Sequence, residues 1–251
     1  MIPSSHFFRV PLLLILGLAG LSAAAGRVDA ARAAGNRADS AVWRQAGGKT
    51  TAAGAAAPSS SDPMITFRKV FKSSYPEFVE INISQNGSGT FDIRQLDDDA
   101  NPQAFTIGAP LVQKIFDLAG KLRDFQGVDL EVHRRIANLG EKTFRYTKGS
   151  EVHETTFNYT LDTNAAQLLD IFENLSRQES DLTDLARTMR YDRLGVNDVL
   201  LQIQADYDGK QLPEPQRLLT LLDQVAADQK FVDIARDRAR TLAGRIRSSS
   251  Q

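Results

Sequence analysis

The chain reads as an α+β protein: an antiparallel sheet of about six strands covered by two helices, followed by an all-helical C-terminal region. Three observations predict this. Apolar residues alternate with a period of two in several short runs between Met64 and Thr160. Turn residues, Asn86-Gly87 and Gly149, separate those runs in pairs. From Asp162 onward the apolar spacing changes to three and four. Strands followed by a run of helices belong to the α+β class rather than to the alternating α/β class.

The first strand is Ile65 to Phe71. In Phe78 to Ser84, Val79, Ile81 and Ile83 take one side, and Phe78, Glu80, Asn82 and Ser84 the other. Asn86-Gly87 then turns the chain, since both residues tolerate positive φ. Gly89 to Gln95 returns with Phe91 and Ile93 on one side, and Gln103 to Ile107 makes a fourth strand. Pro110 suits a first helical turn, and Leu111, Ile115, Leu118 and Leu122 form the stripe of a helix ending near Phe125 and Gly127. Val128 to Leu139 has no clear period. Lys142 to Lys148, Gly149 and Glu151 to Thr160 form a second hairpin, rich in Thr and aromatic residues as a pleated surface prefers.

Asp162 or Thr163 caps the next helix, whose stripe is Leu168, Leu169, Phe172 and Leu175. This closes an α+β domain over residues 64–178. A helical region, 179–251, follows. Its first helix carries Leu182, Leu185 and Met189. Gly195 is expected to end that helix in the left-handed conformation, with Asn197 capping the next, which carries Val199, Leu200, Ile203 and Tyr207. Asp208-Gly209 and Pro213-Glu-Pro215 break the chain. Leu218, Leu219, Leu222 and Val225 line a further helix, and Phe231, Ile234, Ala235, Leu242 and Ile246 the last.

Residues 1–25 read as a signal peptide. Arg9 precedes an apolar run from Val10 through Leu21, and the small residues Ser22 to Gly26 follow, with Ala23 and Ala25 spaced for signal peptidase. The run is well short of the roughly 20 residues a membrane-spanning helix needs. The mature chain is therefore expected to begin near Gly26, to carry no integral membrane span, and to be secreted or periplasmic. Residues 26–63 form an Ala/Gly/Ser-rich tether with few large apolar residues, Trp43 among them. Such a composition buries too little surface to offset the entropy of ordering. There is no cysteine, which excludes disulfides and a lipid-modified N-terminal cysteine. The fold must rest on its core. The net charge of −1 favours neither nucleic acid nor an anionic membrane as partner.

Pro76-Glu-Phe78, the alternating Val79 to Ile83, the Asn86-Gly87 turn, Gly89-Thr-Phe91 and the Leu111 to Phe125 helix together resemble uncharacterised exported bacterial α+β domains. Such domains are built from a strand meander, a helix, a hairpin and a second helix. The resemblance covers residues 65–175 and implies a fold but no activity. Members often carry a cysteine pair before the proline, which this chain lacks.

Few residues suggest chemistry. Asp97, Asp98 and Asp99 are three adjacent oxygen donors of the kind calcium prefers. Adjacent side chains of an extended segment point to opposite sides, however, which suits a solvated hairpin tip better. His133 and His153 are the two histidines left after signal removal, and both have acidic neighbours. Neither accompanies a nucleophile motif, and His153 is expected at the surface. The arginines of the last helix, Arg236 to Arg247, are interspersed with Asp233 and Asp237. That mixture suits a packed terminal helix better than one lying on a membrane. No cofactor motif is present. The expectation is a non-enzymatic exported protein that acts through contact with another exported or envelope protein. The alternatives are a metal-dependent or hydrolytic enzyme using the residues above, and a domain binding a small apolar ligand between sheet and helices.

Overall fold

A computed structural model describes residues 62–249 of the protein. The signal segment, Trp43 and nearly all of the tether lie outside the described residues. The elements are β1 (Met64–Val70), β2 (Phe78–Ser84), β3 (Ser88–Arg94), β4 (Gln103–Thr106), α1 (Ala109–Lys121), β5 (Glu141–Lys148), β6 (Glu151–Phe157), α2 (Thr163–Tyr191), α3 (Val196–Asp208), α4 (Leu219–Ala227) and α5 (Asp233–Ser249). The fold is α+β. All six strands form one antiparallel sheet in the order β4-β3-β2-β1-β5-β6.

Strand register puts the apolar sets on one face. Phe67 lies opposite Ile81 on one side and Phe144 on the other. α1 and α2 cover this face with Val112, Ile115, Leu118, Leu168, Phe172 and Leu175, all buried against the sheet. Phe172 stacks on Phe67 with ring centroids 5.2 Å apart. The opposite sheet face is polar and bonded to itself. Thr66 donates to Asn82 Oδ1 (2.6 Å), Arg68 pairs with Glu80 (2.7 Å), and Arg145 with Glu154 (2.6 Å).

The β2–β3 connection differs from a two-residue turn. Its loop is Gln85 to Gly87, and only Gly87 takes positive φ (+86°). A Cβ there would stand 2.7 Å from Ile107 O, so both conformation and space require glycine. A second irregularity follows α1. Arg123, Asp124 and Phe125 are consecutive left-handed residues (φ +55°, +49° and +67°). Each costs roughly 1–2 kcal/mol relative to right-handed backbone. The turn carries Phe125 into the core, stacked on Phe144 at 5.4 Å.

The helical half has its own core. Leu185 of α2, Val196, Leu200 and Ile203 of α3, Leu222 and Val225 of α4, and Ala239, Leu242 and Ile246 of α5 are buried together. Ile234, expected on that face, is exposed, because the register of α5 buries Ala235, Ala239 and Ala243 instead. α2 belongs to both cores. The sequence pattern suggested two helices meeting near residue 178, but nothing between Leu175 and Leu182 breaks helical geometry, and one helix runs through the expected 178/179 boundary. Asp162 caps its start, accepting from the Asn164 and Ala165 N–H groups at 2.8 and 2.9 Å.

The α2–α3 junction also differs. Gly195 is right-handed (φ −71°, ψ −13°) and stands at the N-cap of α3. Its N–H donates to Asp192 Oδ1 (3.1 Å), and a Cβ at this position would displace that exposed carboxylate. Asn197 is not a cap: its Oδ1 accepts from Arg238 Nε at 3.2 Å.

Candidate functional site

The segment of α2 between its two cores buries a cluster of polar groups. Gln178, Glu179 and Asp181 are all buried, and so is Asp206 of α3. Buried polar groups require partners, and the two flanks of α2 meet that demand differently.

On one flank every demand is met. Gln178 Nε2 donates to Glu214 O (3.0 Å), and its Oε1 accepts from the Glu214 N–H (2.9 Å). Glu179 takes a two-pronged pair from Arg217, with Nη2 to Oε2 at 3.0 Å and the Nη1–Oε1 bond beside it. The Arg217 guanidinium also lies over Phe105, 5.4 Å from the ring centroid. Glu214 Oε1 accepts from the Gly108 N–H (2.6 Å) at the start of α1. This network ties the helical half to the sheet half. Burial pushes the Glu179 carboxyl above its ordinary range, while Arg217 opposes the rise.

The other flank opens into a groove of about 810 Å³ beside the β1–β2 connection. One wall is Phe71, Ser74, Tyr75 and Pro76; the other includes Glu173, Arg177, Asp181, Gln202 and Asp206, with Lys69 at the base. Lys69 pairs with Glu173 at 2.7 Å. Asp206 accepts from Gln202 Nε2 (2.9 Å) and lies 3.4 Å from Arg177 Nη1. Asp181 is 7% exposed, and its buried Oδ2 has no hydrogen-bond partner. Desolvation, then the charge of Asp206, push the Asp181 carboxyl up to about 7, with Arg177 pulling the other way. A carboxyl titrating at neutral pH in an open groove can hold a proton or accept hydrogen bonds from a cation.

The aromatic wall is held by its own loop. Ser74 Oγ donates to Phe71 O or Pro76 O, each 2.6 Å away, and the Phe71 N–H donates to Glu77 O (2.8 Å). Glu77 Oε2 accepts from the Leu96 N–H (3.3 Å). Tyr75 stands on this loop 91% exposed. It separates the groove from a smaller recess of about 220 Å³ that reaches Phe91, Arg94 and Thr183.

Of the residues singled out from sequence, Asp98 lines the smaller recess beside Tyr75, and the others lie outside both recesses. Asp97, Asp98 and Asp99 are exposed in the β3–β4 connection, where Asp98 Oδ2 accepts from the Gln95 N–H (3.1 Å). Among the described residues, no three His, Asp or Glu side chains converge in a way that could hold a metal ion. His133 is exposed and bonded to Asp129 (2.7 Å), which raises the imidazole's pKa and lowers the carboxyl's. His153 departs from its expected surface position. Register places it opposite Tyr146 on the helix-covered face, with rings 6.3 Å apart, its side chain 17% exposed and Nδ1 unpartnered.

The arginines of α5 are occupied. Arg245 and Arg247 pair with Asp208 and Asp223, Arg236 and Arg240 with Asp233 and Asp237, and Arg238 bonds Asn197 and Gln204. No helix among the described residues is long and apolar enough to cross a membrane.

Sequence reasoning missed Asp181 and Asp206, although a signal was present. Asp181 is three residues after Gln178 and four before Leu185, and Asp206 is three after Ile203. Both therefore continue apolar stripes with carboxylates. No protein-family model matches the chain, and no curated protein matches it.

Proposed function

We propose that this chain is an exported, non-enzymatic protein that works outside the cytoplasm by contact with another exported or envelope protein, and that the groove between the β1–β2 connection and α2–α3 is the contact site. The observation that carries this reading is Tyr75. It is a nearly fully exposed aromatic side chain on a loop braced by its own hydrogen bonds, standing between two recesses. Rigid aromatic anchors beside a recess dominate many protein interfaces, because they bring large area at little entropic cost. The signal-like residues 1–25 support the exported compartment.

A photo-crosslinking amino acid at position 75 tests the reading in the native host's exported fraction. The expected result is one discrete cross-linked protein, with no product when the crosslinker replaces exposed Arg135, which lines neither recess. Equal, diffuse labelling from both positions would reject the groove as a contact site. N-terminal sequencing of the exported chain is expected to start near Gly26. An intact Met1 on membrane-embedded protein would reject the compartment.

A further inference from the structure

We propose that the recess over Asp181 and Asp206 receives a guanidinium group, an arginine side chain of the protein partner. This rests on the contact-site reading above and adds what the contact recognises.

The argument starts from charge. Lys69 and Glu173 neutralise one another across 2.7 Å. Arg177 and Asp206 form a looser pair at 3.4 Å. Asp181 is the carboxylate left over, buried, with Oδ2 lacking any donor. With Asp181 ionised, the lining groups Lys69, Glu173, Arg177, Asp181 and Asp206 leave the groove one negative charge in excess, and Arg177, the nearest cation, makes its hydrogen bond to Asp206 rather than to Asp181. A buried acceptor without a donor is costly, and a cation from outside the molecule recovers that cost.

The cation's chemistry follows from the neighbours. Calcium and magnesium require about six oxygen ligands and zinc about four donors, and among the described residues no three His, Asp or Glu side chains converge to hold a metal ion. A guanidinium presents five donors in a planar fork suited to paired carboxylates. It also stacks on aromatic rings, and Phe71 and Tyr75 form the facing wall. The molecule satisfies another buried carboxylate in this way: Glu179 is held by the fork of Arg217, which lies over Phe105. The same geometry is half-built at Asp181, where the carboxylate and the aromatic wall are present and the guanidinium is not.

Binding should favour the ionised carboxyl and so strengthen with pH. The charged groups acting on Asp181 are Asp206 from α3 and Arg177 and Asp184 from α2, while Lys69 from β1 and Glu173 from α2 share the groove.

The test is an NMR titration of the purified mature chain with the peptide acetyl-Gly-Arg-Gly-amide. The citrulline peptide serves as a neutral isostere, and the lysine peptide and calcium chloride serve as competing cations. Saturable shifts are expected at the Ser180, Asp181, Gln202 and Tyr75 amides with the arginine peptide. Affinity should fall about tenfold or more with citrulline or in Asp181→Asn, as loss of a charge-assisted pair implies. It should also fall from about pH 8 to about pH 5.5, as the carboxyl takes up its proton. A melting curve for Asp181→Asn at or above the wild type's shows that its loss of binding is not loss of fold. Equal binding of arginine and citrulline peptides, unchanged affinity in Asp181→Asn, tighter binding of the lysine peptide, or calcium producing the same shifts would each overturn the proposal. A cross-link at position 75 that persists while the arginine peptide shifts nothing would sink this inference alone. Failure of both would remove the contact-site reading as well.

Discussion

Glu179 and Asp181 stand two residues apart on one helix, and both are buried carboxylates. One is held by Arg217 and joined to a network reaching the start of α1; the other lacks a partner at its buried oxygen and faces an open groove. The difference teaches that burial of a polar group does not by itself mark a site. Satisfaction separates the two roles. A satisfied buried carboxylate is a joint between substructures, and an unsatisfied one in an open recess is a place for something else to bind.

The comparison breaks most visibly at the joint. Glu179→Ala removes one partner of a buried pair and leaves Arg217 uncompensated. A fully buried pair broken this way costs about 3–5 kcal/mol. Arg217 keeps some solvent contact, so about 3 kcal/mol is expected, read as a lower urea midpoint at about pH 8, where the carboxylate is ionised. A loss under about 1 kcal/mol, the value of a surface pair, would mean that the joint is held by its apolar neighbours alone.

Asp181→Asn should move stability the other way. The folded-state pKa is raised from 3.8 to about 7. Below pH 3.8 both folded and unfolded chains hold the proton, so the group contributes nothing. Between 3.8 and about 7 the folded chain keeps a proton that the unfolded chain has lost, so stability falls as pH rises. Above about 7 the penalty is complete and constant. At about 1.4 kcal/mol per unit it is at most about 4 kcal/mol. Water in the groove reduces this, and about 2 kcal/mol is expected. The variant should therefore melt higher than the wild type at pH 8, and the two should converge toward pH 4. A variant less stable than the wild type at pH 8 would show that Asp181 has a donor after all.

Much of the sheet half was legible from sequence, because period-two alternation in Phe78–Ser84 and the Gly87 and Gly149 turns depend only on neighbours in the chain. The helical stripes were legible for the same reason. What could not be read was the joint. Gln178, Glu179 and Asp181 interrupt the apolar stripe of α2, and local reasoning takes a polar interruption for a break between helices. Glu214 and Arg217, the partners of Gln178 and Glu179, lie 36 and 38 residues away in sequence, and Asp206, whose charge acts on Asp181, lies 25 away, so the burial of the polar segment is a tertiary fact. Asp97 to Asp99 attracted notice through local charge density, which an exposed connection tolerates freely. Asp206 was hidden beside Asp208-Gly209, a pair that reads as a helix end.

The left-handed turn after α1 gives a smaller test of strain outside the joint. Arg123 is exposed at φ +55°, and Arg123→Gly relieves that conformation. The chain-entropy cost of glycine and the loss of the Arg123 Nη2 bond to Gly127 O (3.2 Å) offset part of the gain. A net stabilisation of about 0.5–1 kcal/mol is expected in urea denaturation. A loss of stability would place the Gly127 bond above the backbone term.

A pair of substitutions on α5, one of them the smallest effect expected, tests the same distinction at the surface. Arg238 bonds Asn197 and Gln204 of α3 at 3.2 and 2.9 Å from a half-buried position. Arg240 pairs with Asp237, one turn away on its own helix, with both side chains more than half exposed. An exposed pair of this kind contributes little, since solvent screens it and two long side chains must be ordered to make it. Arg238→Ala is therefore expected to cost about 1 kcal/mol, because two part-buried acceptors on α3 lose their donor. Arg240→Ala should cost about 0.5 kcal/mol or less. Urea denaturation of the two variants side by side decides it. If Arg240→Ala proved the more damaging, the satisfaction of buried acceptors would not be what ranks polar contacts in this protein, and the contrast drawn between Glu179 and Asp181 would lose its basis.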